Sequence, residues 1–384
     1  MSSWLVALVF LFCSTAGEDT SPRWETKLKT AGLSSFERGP GSLWTLQQGI
    51  LFLTPEKILL YQVNRTAEQA KLAPRGSTGG AGNFFLNIRL LNAQDGKAVH
   101  ALDLPTTAGI SSVLRTHDGA FLVRSGTTLY RYSPDFQQTA SKDLPIERTA
   151  PWEDWKILVS PSGERAVLLH EQVFSRPELL ADDTVLHDGR AKIEVQVLDA
   201  DTLETQKTFS LEHTLAFWAS AGDVLFTSNP AHSYGDGQVG RLELNGAWSP
   251  VNREFPKDSN SCRRGLAAID HERLIAFGCG VFTVLATNGK ALFSVKDLES
   301  EFKSAAAGGE ALVVRRDRFF LERTGSGGGV LITRPYSLDV YGLENYKHRM
   351  SIPVHSDQVA YAISERGDLA VVEGDTLRVF ATEK

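Results

Sequence analysis

Residues 364–384 read SERGDLAVVEGDTLRVFATEK. A turn of Ser, Glu, Arg and Gly opens an apolar strand, Glu373-Gly374-Asp375 turns the chain back, and a second strand runs to the end. Short apolar runs bounded by Gly, Asp and Ser point to strands joined by tight turns, not to helices. The same turn-then-strand unit occurs six times earlier, as TPEKILLY at 54–61, THDGAFLV at 116–123, SPSGERAVLL at 160–169, SAGDVLFT at 220–227, DHERLIAF at 270–277 and AGGEALVV at 307–314. With the strands starting at Lys57, Ala120, Arg165, Asp223, Arg273, Glu310 and Asp368, the mean period is about 52 residues.

A second hairpin follows most copies, as in LLNAQDGKAVHALDLP at 90–105, YRYSPDFQQTASKDLP at 130–145 and VQVLDADTLETQKTFSLE at 195–212, and the shape returns at 239–256, 281–297 and 338–354. Each repeat is therefore four short strands, a to d, with Asp-Gly, Asn-Gly and Ser-Pro turns. The seventh copy lacks strand d, and WETKLKTAGL at 24–33, ahead of the first unit, has the character of one. A strand in excess at one end and missing at the other predicts a ring closed by joining the two termini, which leaves no exposed sheet edge. The expected fold is all-β: a seven-bladed β-propeller of four-stranded antiparallel blades, the last completed by the N-terminal strand. The period lies near the roughly 40–50 residues of propeller repeats, with six and eight blades as the neighbouring counts.

These repeats resemble those of secreted bacterial WD40-like and YVTN-type propellers from about residue 24 to the end. The likeness is one of architecture and turn pattern, because no Trp-Asp dipeptide closes the blades, no Gly-His opens them and no Tyr-Val-Thr-Asn run occurs. It implies a fold and carries no site residue, since such folds host many unrelated functions.

Composition excludes some function classes. With 40 basic and 46 acidic residues and 42% apolar side chains, the chain can bury a large core and has no charge footprint for nucleic acid. Trp4 to Phe12 is an unbroken apolar run followed by Ser14, Thr15, Ala16 and Gly17, the pattern of an export signal cut after Ala16. The expected division is thus a signal peptide at 1–16 and a single propeller domain at 17–384, in a secreted or periplasmic protein without a transmembrane segment. Lipid attachment at Cys13 is the rival, disfavoured by bulky Phe12 where such a motif needs a small residue. Removing the signal leaves Cys262 and Cys279, which fall in the same blade on the same face and are the candidate disulfide.

Insertions mark a working face. Long segments join strands b and c at 64–83, 171–190, 228–238 and 316–334, and they share a side of the ring with the d-to-a segments at 145–154 and 254–264. The candidate binding residues there are Trp152, Trp155, Phe174, Arg176, Tyr234, Arg315, Arg316, Phe319 and Tyr336. Exposed aromatics beside arginine suit a peptide or sugar. Trp155 and Tyr336 also begin strands and could simply pack between blades.

No catalytic pattern emerges. The nine histidines form no His-x-x-x-His pair, His117-Asp118 and His187-Asp188 sit in turns, and GSGGG at 325–329 lacks the Lys of a phosphate loop. The leading expectation is a monomeric, non-enzymatic binding module without metal or cofactor, whose partner is a protein, peptide or carbohydrate. The alternative is a lactonase-like or quinoprotein-like propeller enzyme acting at the central channel, which a ring of Asp, Glu or His at one channel mouth would favour.

Overall fold

The computed structural model describes residues 21–36, 48–64, 84–106, 111–144, 152–175, 178–179, 185–187, 190–211, 218–221, 224–228, 238–243, 247–254, 264–278, 280–323 and 329–382. These residues form seven four-stranded antiparallel sheets, each ordered a, b, c, d, and a separate two-stranded ribbon. The chain is an all-β propeller of four-stranded antiparallel blades. Strand a of each sheet lies against strand a of the next, and strand a of the seventh lies against that of the first, so the a strands surround the axis. Among the described residues no helix is long and apolar enough to cross a membrane.

The b strands explain why the repeats are legible. They are Lys57–Asn64, Phe121–Ser125, Arg165–Ser175, Val224–Ser228, Arg273–Gly278, Ala311–Arg323 and Asp368–Glu373. Each begins at, or one residue after, the onset read from sequence. A b strand is sandwiched by neighbouring sheets on both faces, so it reads as a continuous apolar run, not an alternating one. Ile58, Leu59 and Leu60 are all fully buried, as are Val313 and Val314. Strand d lies at the rim and alternates or faces water, as in Ala98–Thr106, Gln138–Asp143 and Ala291–Lys296.

The seventh sheet closes as the repeat count requires. Strand d is Trp24–Lys27, paired with strand c (Thr376–Ala381) from Trp24↔Val379 to Lys27↔Thr376. The expected strand over 24–33 is shorter than read. After Lys27 the chain enters a 3-10 turn, Leu28–Ala31, capped by Gly32 in the left-handed region (φ 73). The cause is burial: Leu28, Ala31, Leu33 and Phe36 leave the rim and pack between the first and seventh sheets. Gln62, itself buried, holds this segment by accepting from the Ser34 amide and hydroxyl and donating to the carbonyls of Ser34 and Ser35.

The b-to-c insertions are not all loops. In the third sheet the segment 171–190 contains the end of strand b and the ribbon Glu178–Leu179 with Val185–His187. In the sixth sheet the segment 316–334 is mostly strand: b runs over Ala311–Arg323 and c over Gly329–Gly342, paired throughout. Residues in a hairpin with water on both sides have no burial period, and so the segment looks like a loop in sequence.

Candidate functional site

The sixth-sheet hairpin outgrows its own sheet. Strand a (Ser300–Gly308) reaches only to Ser300↔Arg318, and strand d (His348–Pro353) only to Ser337↔Pro353. Beyond those pairs, Phe319–Arg323 and Gly329–Thr333 pair with each other alone, except that the Phe319 amide donates to the Glu299 carbonyl. The result is an antiparallel arm that, among the described residues, extends beyond strands a and d on the face of the b-to-c connections.

Two ion clusters fix its foot. On one side Arg315 forks onto fully buried Asp317 (Nε–Oδ1 2.9 Å, Nη2–Oδ2 3.2 Å), and Lys303 Nζ reaches the same carboxylate at 2.8 Å. Lys303 also donates to Thr333 Oγ1 at 2.8 Å, and Arg315 to the Asp357 carbonyl at 3.0 Å. On the other side Arg316 pairs with Asp339 at 3.0 Å and with Asp297 at 3.3 Å, while Ser337 and Ser351 donate to Asp339 Oδ1. Partial burial works to raise the Asp297 pKa, but donation from Ser300, the Glu299 amide and Arg316 outweighs it and holds the carboxyl below 3.8.

Above the foot the side chains face water. The extra residue of a β-bulge is Tyr336, which is 37% exposed and has Arg318 stacked on its ring at 3.7 Å and Arg316 at 5.1 Å. Arg334 lies directly opposite Arg318, and its guanidinium is 5.7 Å from the Phe320 ring. Phe320 is 45% and Leu321 70% exposed, and Leu298, at the base of the arm next to Glu299, is 64% exposed. This mixture of stacked cations and uncovered apolar groups can grip a partner that offers both charge and greasy surface.

The candidate residues read from sequence divide accordingly. Arg315, Arg316, Phe319 and Tyr336 come together on the arm, but Arg315 is buried in its foot and faces no ligand. Trp155 belongs to the core, stacked on His170 across strands a and b of the third sheet at 4.3 Å. It is therefore no part of a binding face. Phe174 is exposed at the far end of the third sheet's strand b, and Trp152 begins that sheet's strand a. Neither lies in the sixth sheet. Arg176, Tyr234, Cys262 and Cys279 lie outside the described residues. Sequence reading missed Arg318, Arg334, Leu298 and Leu321; the cross-strand register that makes them neighbours has no local signature.

The opposite end of the ring holds a cavity of about 610 Å³, on the side away from the insertions. The a-to-b turns of the seventh, first, second and third sheets line it, through Glu365, Thr54 and Pro55, Arg115 to Gly119, and Ser160 to Gly163. These turns interlock. A Cβ on Gly163 (φ 78) would lie 2.2 Å from the His117 amide nitrogen, and one on Gly119 (φ 70) 2.9 Å from Thr54. Arg115 bridges the rim to Glu365. His117 sets Nδ1 against the Gly163 carbonyl at 3.2 Å and Nε2 against Asp201 at 3.3 Å. Both ring nitrogens thus face acceptors, and Ser160 and Ser162 bond each other at 3.0 Å, so no nucleophile–base pair forms here. Among the described residues no three metal-ligating side chains gather.

No family model and no curated protein matches this chain. Solved structures do. An acylaminoacyl peptidase from Pyrococcus horikoshii aligns with a TM-score of 0.51 at 11% identity, over 88% of this chain and 52% of that one. This chain thus spans about half the length of that peptidase. Hsv2 from Kluyveromyces lactis aligns at 0.45 with 12% identity, over 85% and 90%, and a Bacteroides caccae protein of unknown function at 0.40 with 13% identity, over 72% and 92%. Likeness at these identities concerns the fold.

Proposed function

We propose that the chain is a seven-bladed, secreted or periplasmic propeller that works as a binding module, with the sixth-sheet arm as its recognition element. The seven four-stranded sheets and the ring of a strands support the blade count. The export pattern at 1–16 supports the location, and Cys262 with Cys279 would then meet an oxidising compartment. The observation that carries the binding reading is the arm itself. A free-standing hairpin that uncovers Phe320 and Leu321 has no stabilising use for the propeller, and exposed apolar patches on a folded chain mark sites of association.

The cavity at the other end of the ring favours a second reading, a small-molecule site or an enzyme at the channel mouth, through its Arg115–Glu365 pair and the His117–Asp201 contact. Thermal unfolding with divalent metals, sugars, lactones and peptides separates the two, since a ligand of the native state raises the melting temperature. A peptide-induced shift that vanishes in Phe320→Ser/Leu321→Ser is the expected result. A metal or lactone shift that survives those changes and vanishes in Arg115→Ala would transfer the function to the cavity.

A further inference from the structure

The cavity at the nested end contains a polar group that the fold leaves unused. Thr116 lines the cavity and is 1% exposed, yet its hydroxyl has no hydrogen-bond partner among the described residues. A buried hydroxyl without a partner destabilises a folded chain, and native structures keep few of them. Its neighbour Arg115 commits Nη2 to Glu365 Oε1, with the two side chains 34% and 57% exposed. A guanidinium carries five N–H donors and a carboxylate two acceptor oxygens, so donor and acceptor capacity remain side by side in the wall that holds Thr116. The wall is also stiff, because Gly119 and Gly163 nest their turns against the adjacent ones.

We infer that this cavity binds a small neutral sugar, whose hydroxyls engage Arg115, Glu365 and the Thr116 hydroxyl. The inference stands apart from the reading of the arm and gives the cavity a ligand class. A sugar hydroxyl both donates and accepts, so a vicinal pair takes a bond from the guanidinium and gives one to the carboxylate. Leu53, Pro55 and Pro161 supply apolar surface for the C–H face of the ring. The volume of about 610 Å³ lies within the roughly 300–1,000 Å³ of small-ligand pockets. Walls already fixed by nested turns reduce the ordering that binding requires. An anion fits less well, since the Glu365 carboxylate and the 88% exposed Asp118 stand beside Arg115. A wholly apolar ligand fits less well too, because it would bury the Arg115–Glu365 pair and leave it nothing to bond.

The test is isothermal titration of the full chain with D-glucose, D-galactose, D-mannose and myo-inositol. Gluconate and cyclohexanol serve as the anionic and apolar controls. Saturable binding of at least one neutral probe, with a millimolar Kd, is expected. Thr116→Val and Glu365→Ala should each weaken it about tenfold, and Phe320→Ser/Leu321→Ser should leave it unchanged. Thr116→Val should melt at the wild-type temperature or above it, because it removes an unpartnered hydroxyl of nearly the same shape; a hydroxyl with a merely structural role would lower melting instead. Failure of all four neutral probes to saturate would overturn the sugar site, and so would tighter binding of gluconate or cyclohexanol. Sugar binding that survives Thr116→Val and Glu365→Ala but is lost in Phe320→Ser/Leu321→Ser would overturn the cavity and leave the arm as recognition element.

Discussion

The two ends of the propeller handle space in opposite ways. At one end the a-to-b turns nest so closely that Gly119 and Gly163 sit where a side chain would strike the adjacent turn. At the other end the sixth-sheet arm extends past strands a and d of its own sheet. Close nesting fixes the spacing of the blades around the axis, while a free-standing arm can change its surface without disturbing the ring. The ring geometry is thus specified at one face, and the freedom to acquire a partner lies at the other.

The sharpest way to break this comparison is to attack one of the two ion clusters that tie the arm down. Asp317→Ala removes the buried carboxylate between Arg315 and half-buried Lys303, leaving them only the longer carboxylate contacts to Asp357 and Glu301, each 3.7 Å. We expect a loss of about 3–5 kcal/mol in urea-induced unfolding, the cost of stranding a buried charge. Next comes the nested end: Gly163→Ala forces a Cβ against the His117 backbone at a left-handed position, with an expected loss of about 2–3 kcal/mol by the same measurement.

Acid should act on the insertion face at a third, smaller scale. Partial burial works to raise the pKa of Glu373, but amide donation from His355 and Ser356 and the Arg378 guanidinium outweigh it and hold the carboxyl below 4.5. A depressed carboxylate contributes stability that is fully present above 4.5 and lost as pH falls through the lower, folded-state value. Unfolding midpoints measured from neutral pH downward should therefore hold until about pH 4.5 and decline beneath it, and Glu373→Gln should flatten that decline. The smallest effect belongs to the tip of the arm. Phe320→Ser/Leu321→Ser should change stability by about 0.5 kcal/mol or less, because exposed side chains contribute little to folding. A large loss there would mean that the arm packs on the ring after all.

The same contrast decides what sequence could reveal. In the first and sixth sheets strand b is buried on both faces, so the runs Lys57-Ile58-Leu59-Leu60 and Glu310-Ala311-Leu312-Val313-Val314 announce themselves after their turns. The strand that closes the seventh sheet was legible as a surplus at Trp24, though Leu28 and Phe36 turn inward earlier than an extended strand would. The arm was visible only as a long insertion. Arg315 and Arg316 are adjacent in sequence, yet one faces the seventh sheet's approach with Asp317 and Asp357 and the other faces Asp297 at the end of the fifth. The cavity at the nested end could not be read at all, because ordinary turn residues from four sheets compose it.

The closing strand has a mechanical consequence. Trp24 pairs with Val379, so the chain arrives at and departs from the same end of that short ladder. A load applied between the two termini would peel the seam one backbone pair at a time, not shear all its hydrogen bonds together. Peeling would advance past Lys27 and then meet Leu28 and Phe36, which are anchored between the first and seventh sheets by the core and by the hydrogen bond that the Phe36 amide donates to the Gly374 carbonyl. Resistance to tension therefore resides in those buried anchors, and the visible strand at the rim yields first.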